Sequence, residues 1–441
     1  MNPTATGAAP RLAAARALIG VLDEGHNLTA ALKPGLAELA GGQDRSLARR
    51  LAMAVLRDLP ALEFRLARLL EKPLARHARI IHFLLLSALA ELAEAREPAR
   101  AVVHASVAAA RLAGQNRLAG LVNGVLRSFQ RRADSIEAAM PDDPVHRFGY
   151  PAWLIEAIRG NWPEQWPAIL EAGNRPPPVW LRVNRRRIGR EDFQARLESA
   201  GHRSSTHETL PEAVRLEEPA AISSLPGYSE GHFSVQDAGA QWAAEFIGIA
   251  DGQRVLDACA APGGKAAHLL ERADVELTAL DLDPERISTT RRGLERLGLK
   301  ARLLAADATR PEDWWNGDAF DRILIDAPCT ATGVIRRHPE IRWLRRPADV
   351  AASAETQRRL LQALWPLLKP GGILVYATCS VLAAENRVQA ASFLEHTPNA
   401  RVAEQAHWPG IRTKPGSQIL PGEGDMDGYY YLVLARLRTG S

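Results

Sequence analysis

Between residues 254 and 379 five short apolar runs recur: RVLDA, ELTALDLD, ARLLAAD, DRILIDA and GILVYATC. Helical stretches at 265–271, 285–297 and 354–368 lie among them. Runs of this length are continuous rather than alternating, as in strands buried on both faces. Alternation of such strands with helices predicts a mostly parallel sheet covered on both sides, an α/β layer architecture. The tail ILPGEGDMDGYYYLVLARL predicts a final strand pair, with Gly422 and Gly424 in the turn.

The chain is too long, at 441 residues, for one ordinary domain. From Arg11 to about Arg132 the spacing is helical throughout. Leu62, Leu66, Leu69 and Leu70 share one face, as do Leu121, Val122, Val125 and Leu126. This predicts an all-α bundle over 1–140. The Ala-rich start with Arg11 and Arg16 has the composition of a transit peptide, but its apolar spacing runs on past Glu24 and favours a first helix. MPDDP at 140–144 reads as a linker. Residues 145–232 then give helix, strand (179–183), helix (190–200) and strands, a small α+β module. The third region, 233–441, holds the recurring runs. The run 80–93 is too short to span a bilayer, so a buried helix is expected and no membrane partner.

Three cysteines without paired spacing argue against a disulfide framework and for a reducing cytoplasm. No spacing marks a metal site. Net charge is +4, unevenly placed: 20 Lys+Arg against 14 Asp+Glu in 1–150, and 35 against 37 beyond. A basic N-terminal region suits an anionic partner such as RNA, or is simply a solvated helical surface.

VLDACAAPGGK ends a strand, turns on Gly263 and Gly264 and opens a helix, which lets backbone approach a ligand. The spacing is neither GxGxxG nor GxxxxGK[ST], which disfavours a phosphate-cradling loop. Asp281 ends the next run, placed to accept from ribose hydroxyls. Asp307 ends the third run and is placed to meet an adenine edge. Two strand-end carboxylates with the Gly turn point to a nucleoside cofactor.

DACAAPGGK, DLD, AAD, DAPC and ATCSV, in that order, resemble the S-adenosylmethionine-dependent RNA 5-methylcytosine methyltransferases over about 233–435. FSVQDAGAQ, from Phe233, is similar to the family's entry motif and DGYYY to its last, although Phe often follows the Gly there. The N-terminal helices resemble a NusB-type RNA-binding domain. That pairing, with IRRHPEIRWLRR and VYATCSVL, is similar to the bacterial RsmB branch (Sun or Fmu), which acts on small-subunit ribosomal RNA. The resemblance implies a Rossmann-like catalytic domain, S-adenosyl-L-methionine as cofactor, ribosomal RNA as partner and a monomer. It implies a cofactor loop of Cys259, Ala260, Ala261, Pro262, Gly263, Gly264 and Lys265, with Cys259 serving packing rather than catalysis. Asp281 would hold the ribose and Asp307 lie near the adenine. Asp326 would border both the reacting methyl and the target base.

Carbon 5 of cytosine is a poor nucleophile. A thiolate adding to carbon 6 breaks the aromaticity and makes carbon 5 an enamine carbon, which is covalent catalysis. Cys329 and Cys379 each follow an apolar run and either could reach one site. The DNA cytosine-5 enzymes use a cysteine after a proline, which would nominate Cys329. The RNA family uses that of the TCS motif, which implies Cys379 as nucleophile and Cys329 in adduct breakdown and product release. Asp326, three residues before Cys329, is placed to contact nitrogen 3 and the exocyclic amine.

The segment 335–346 carries Arg336, Arg337, His338, Arg342 and Trp343, residue types that neutralise phosphates and stack on bases. It is expected to wall the RNA cleft. Two rivals stand beside this reading. An exocyclic-amine methyltransferase would not need Cys379, and a non-enzymatic RNA-binding assembly factor would bind cofactor without transferring methyl groups.

Overall fold

The computed structural model describes residues 7–438. Its contacts divide the chain into two compact units. One holds the residues up to Asn174 together with His338–Arg346, and the other Arg175–Arg337 with the residues from Pro347. This differs from the expected regions at two points: His338–Arg346, expected in the third region, belongs to the helical unit, and so do two helices of the expected middle module. Helices Ala152–Asn161 and Trp166–Asn174 group with the bundle, beyond the expected linker at 140–144. The domain ends expected at 1 and 441 lie outside the described residues.

The first unit is all helical. Ala8–Leu22, Leu28–Glu38, Gly42–Arg57, Leu59–Ala67, Arg79–Glu94, Ala99–Leu112 and Ala119–Glu137 are its main helices. The start of the chain is thus helical from Ala8; the first six residues of the transit-peptide pattern are outside the described range. Leu18, Leu51, Leu85, Leu89, Val122, Leu126 and Phe129 bury together, as the 3.6-residue spacing requires. Arg11 crosses this core to Glu91, donating from Nε (3.0 Å) and Nη2 (2.6 Å). Both side chains are buried, so this fork pairs two charges largely withdrawn from water. No helix among the described residues is long and apolar enough to cross a membrane.

The second unit contains two sheets. The smaller is built from β1 (Val179–Val183), β2 (Ser204–Thr206), β3 (Ala213–Leu216) and β4 (Phe233–Val235). It is antiparallel, in order β2-β3-β1-β4, and the helix Arg190–Ser199 packs Phe193 and Leu197 onto Leu181, Val183, Val214 and Phe233. Phe233, expected to open the catalytic region, pairs with Val183 and so belongs to this sheet.

The larger sheet comprises β5 (Arg254–Ala258), β6 (Glu276–Asp281), β7 (Arg302–Ala305), β8 (Phe320–Asp326), β9 (Leu368–Thr378), β10 (Ala400–Val402), β11 (Ile411–Arg412), β12 (Ser417–Ile419) and β13 (Tyr429–Arg436). Its order is β11-β12-β13-β9-β8-β5-β6-β7, with β10 against β13. The pairs from β7 through β9 are parallel; β13 joins antiparallel to β9. Both faces are covered, which explains the continuous apolar runs. Val255, Leu324, Val375 and Ala377 pack with helices Ala238–Ile247 and Gly264–Arg272. Leu256, Ile323, Ile325 and Leu374 pack with Leu360, Leu361 and Leu364 of Pro347–Leu364. From β5 the chain steps outward to β6 and β7, then returns to lay β8 on the other side. The order therefore reverses between β5 and β8, where ligands of such sheets bind outside the carboxyl ends of the strands.

Candidate active site

Every parallel strand ends at the same edge, so parallel topology collects the residues that follow β5, β6, β7, β8 and β9. Cys259 follows β5, Asp281 ends β6, Asp307 follows β7, Asp326 ends β8 and Cys379 follows β9.

The loop Cys259–Lys265 is fixed from several sides. Ala260 N–H donates to Leu280 O (2.7 Å) and Gly263 N–H to Ala260 O (2.8 Å). Gly263 has φ +94°, and a Cβ there would stand 2.7 Å from Thr290 Cγ2, so only glycine fits. Cys259 packs partly buried under β5. Burial, then the neighbouring Asp326, Asp281 and Asp257 charges, push its thiol far up, which leaves it unreactive.

Asp281 is buried and accepts from Ala261 N–H (3.2 Å), Asp283 N–H (3.1 Å) and Arg286 Nη1 (3.2 Å). Asp307 accepts from Thr309 N–H (2.9 Å) and Oγ1 (2.8 Å), and these bonds, against its desolvation, hold it below its ordinary value. Asp257, within β5, is fully buried with no hydrogen-bond partner on either oxygen. Burial and then the Asp326 charge raise it well above the usual carboxylate range. Nothing local in VLDACAAPGGK marks this carboxylate for burial.

At the end of β8, Lys265 Nζ donates to Asp326 Oδ2 at 2.6 Å. Burial alone would lower the Lys265 ammonium, but Asp326 outweighs it and the net shift is upward. Lys265 also sits 5.3 Å from the centre of the Tyr429 ring, within the DGYYY segment. The two thiols meet: Cys329 Sγ lies 3.4 Å from Cys379 Sγ. The bond to Cys379, then burial, push the Cys329 thiol well up. Cys329 is thereby favoured in its protonated form.

A buried carboxylate that the sequence did not single out aligns these thiol loops. Glu385 accepts from Thr330 N–H (2.7 Å), from Thr330 Oγ1 and from Ser380 Oγ. Thr330 and Ser380 directly follow the two cysteines. Asn386 adds Nδ2 to Ser380 O (2.8 Å). Six residues after Cys379, amid Ala and Leu, Glu385 reads as an ordinary exposed helix residue; only the fold buries it. Arg182 was missed likewise. It is fully buried on β1, forks onto Glu271 (2.8 and 2.9 Å) and donates to Gly264 O (2.7 Å), bracing the loop Cys259–Lys265.

The expected RNA wall at 335–346 is corrected. Arg336 is buried and paired with Asp427, donating also to Asp425 O (2.9 Å). Arg337 pairs with Asp427 and with Asp237 Oδ2 (2.8 Å). These pairs join the segments that begin FSVQD, IRR and DGYYY into one knot. Arg342 belongs to the helical unit. It is fully buried and donates to Arg57 O (3.0 Å), Gly149 O (3.2 Å), Gly173 O (2.8 Å) and Asn174 Oδ1 (2.6 Å), 3.8 Å over the Tyr150 ring. Trp343 Nε1 donates to Leu56 O (2.7 Å). Of the five, His338 alone is exposed. A guanidinium carries five donors, and here buried carbonyls and carboxylates use them in place of phosphates.

Three family profiles match in succession. NusB family covers residues 8–131, an RsmF/B-like ferredoxin-like domain 150–223, and 16S rRNA methyltransferase RsmB/F 244–435. The curated Ribosomal RNA small subunit methyltransferase B of Vibrio cholerae is 46% identical over 427 residues, covering 97% of each chain. That of Klebsiella pneumoniae is 43% identical over 430 residues, covering 97% of this chain and 98% of its own. Among solved structures, PH0851 matches with TM-score 0.80 at 22% identity, over 96% of this chain and 99% of that one. A methyltransferase homolog protein from Pyrococcus horikoshii matches with TM-score 0.59 at 29% identity, over 66% and 97%.

Proposed function

The chain belongs to the 16S rRNA methyltransferase RsmB/F family, whose members use S-adenosylmethionine, and on that premise we propose that it methylates carbon 5 of a cytosine in 16S rRNA through a covalent cysteine adduct. The observation that carries the mechanism is the meeting of Cys329 and Cys379 at 3.4 Å beside the Lys265–Asp326 pair.

The residues present fit this cofactor. Its ammonium and sulfonium are cationic and its ribose hydroxyls are donors, while the strand ends offer Asp281 and Asp307, with the unpartnered Asp257 behind them. Asp281 would take the ribose, Asp307 the adenine side, and the loop Cys259–Lys265 the remainder. When bound, the cofactor supplies an electrophilic methyl group.

Cys379 adds to carbon 6 as a thiolate. Cys329, kept protonated, hydrogen-bonds to the Cys379 sulfur and stabilises its negative charge before attack. As electron density builds on the ring, Asp326 contacts nitrogen 3 and the exocyclic amine. Lys265 Nζ, 2.6 Å away, donates to Asp326 Oδ2 and so orients the carboxyl group for these contacts. Once carbon 5 carries its new methyl, its proton passes to solvent, the electron pair of that C–H bond restores the ring double bond, and the bond from carbon 6 to Cys379 breaks; Cys329 assists by hydrogen-bonding to the departing Cys379 thiolate. An exocyclic-amine methyltransferase would have no use for the paired thiols. A flipped or single-stranded cytosine is implied, because the ring faces must be free. The reading includes action as a monomer in the cytoplasm.

Bisulfite sequencing of 16S rRNA from a strain lacking the gene tests the assignment. One cytosine should lose 5-methylation and regain it on complementation; unchanged methylation at every cytosine would refute it.

A further inference from the structure

The helical unit carries a groove of about 700 Å³ between helices Ala99–Leu112 and Ala119–Glu137. Arg100, His104, Arg111 and Arg127 line it together with Asn123 and Gln130, over a floor formed by Val103, Val107 and Ala119. No carboxylate lines it. From residue 98 to 133 the chain has six arginines and no Asp or Glu. Among the described residues, Arg100 and Arg111 have no ion-pair partner, and Arg127 bonds only to Asn123 Oδ1 (3.1 Å). This contrasts with Arg336, Arg337 and Arg342, whose guanidiniums are spent inside the protein. All four basic side chains of the groove are exposed.

We propose that this groove is an RNA-backbone track. Arg100, Arg111 and Arg127 grip successive phosphates, Asn123 and Gln130 meet ribose or base edges, and Val103 and Val107 lie beneath. The proposal rests on RNA being the substrate and says which surface of the helical unit holds it. Three unpaired guanidiniums in a concavity without acids fit a polyanion. Gly120 belongs to the same lining, and a Cβ there would meet nothing within 4 Å, so the backbone leaves the groove open at that point.

The test uses the full-length protein and a radiolabelled in vitro transcript of 16S rRNA in filter binding from 50 to 300 mM KCl. Arg100→Gln/Arg111→Gln/Arg127→Gln should bind about tenfold or more weakly at 0.1 M salt, and its log–log salt slope should fall by about 2 to 3. The control Arg49→Gln/Lys72→Gln/Arg76→Gln removes the same charge from exposed positions outside the groove and should keep the wild-type slope. Gly120→Glu places a carboxylate in the open space without a clash, and should also weaken binding while the melting temperature holds. Wild-type affinity and slope in the groove triple, or an equal loss in the control triple, would overturn the proposal. Failure of the wild-type enzyme to methylate the transcript or ribosomal particles would instead count against the catalytic reading.

Discussion

Cys329 and Cys379, fifty residues apart in sequence, bring their sulfur atoms to 3.4 Å of each other. The approach follows from topology: β8 and β9 are adjacent parallel strands, with Asp326 opposite Ala377. Thiols that follow neighbouring strand ends are thereby delivered to one place. Glu385 then sets the spacing by accepting from Thr330 and Ser380, one residue beyond each thiol.

Glu385→Gln replaces one acceptor oxygen with a donor that faces donors. The two thiol loops should lose alignment. Single-turnover methylation should slow by about 10²-fold, the cost of a catalytic group displaced by about 1 Å. Equilibrium dialysis should find S-adenosylmethionine affinity within about twofold of wild type, since the loop Cys259–Lys265, proposed to hold it, is fixed by other bonds, among them Arg182 to Gly264 O. Equal losses in rate and cofactor affinity would contradict a thiol-positioning role.

Arg342 satisfies four acceptors within the helical unit. Arg342→Ala leaves them buried and unpaired, a loss on the order of 3 kcal/mol or more. Thermal melting of the full chain should shift down by roughly 6–12 °C for the transition containing this unit. Arg342→Lys should recover less than half of that, because an ammonium is a point charge without the planar fork.

Burial drives His268 down to about 3, although Glu212 Oε2 lies 3.7 Å from its Nε2. An unfolded histidine binds a proton below about pH 6.5. Between pH 6.5 and 3 the unfolded chain therefore holds one more proton at this residue than the folded one. Its contribution to stability is full above 6.5 and falls with pH by about 1.4 kcal/mol per unit across that window. Urea titrations at successive pH values should show that slope in the wild type and a slope smaller by one proton in His268→Gln.

The strand ends were legible because a doubly covered parallel sheet writes its strands as apolar runs and brings the residues that follow them to one edge. The positions of Asp281, Asp307, Asp326, Cys329 and Cys379 at that edge were readable in this way. The fate of arginine was not legible. Arg336, Arg337 and Arg342 occur in a segment as basic as any RNA-binding loop, and what decides their role is the set of acceptors that the fold brings to them: Asp237, Asp427, and the carbonyls of Arg57, Gly149 and Gly173. Local spacing carries no record of partners 90 to 285 residues away. Glu385 and Arg182 escaped for the same reason. Each is a charge whose burial depends on tertiary pairing, which propensity and pattern do not encode. The small sheet's claim on Phe233 is a third case, set by pairing with Val183 rather than by any local signal.

The division of labour between the thiols is tested most directly by denaturing gels of each cysteine variant incubated with the 16S rRNA transcript and S-adenosylmethionine. Cys329→Ala should accumulate a slow-migrating protein–RNA species that resists denaturation, because the Cys379 adduct forms and is not resolved. Cys379→Ala should form none and should transfer no methyl group. An adduct with Cys379→Ala and none with Cys329→Ala would contradict the assignment.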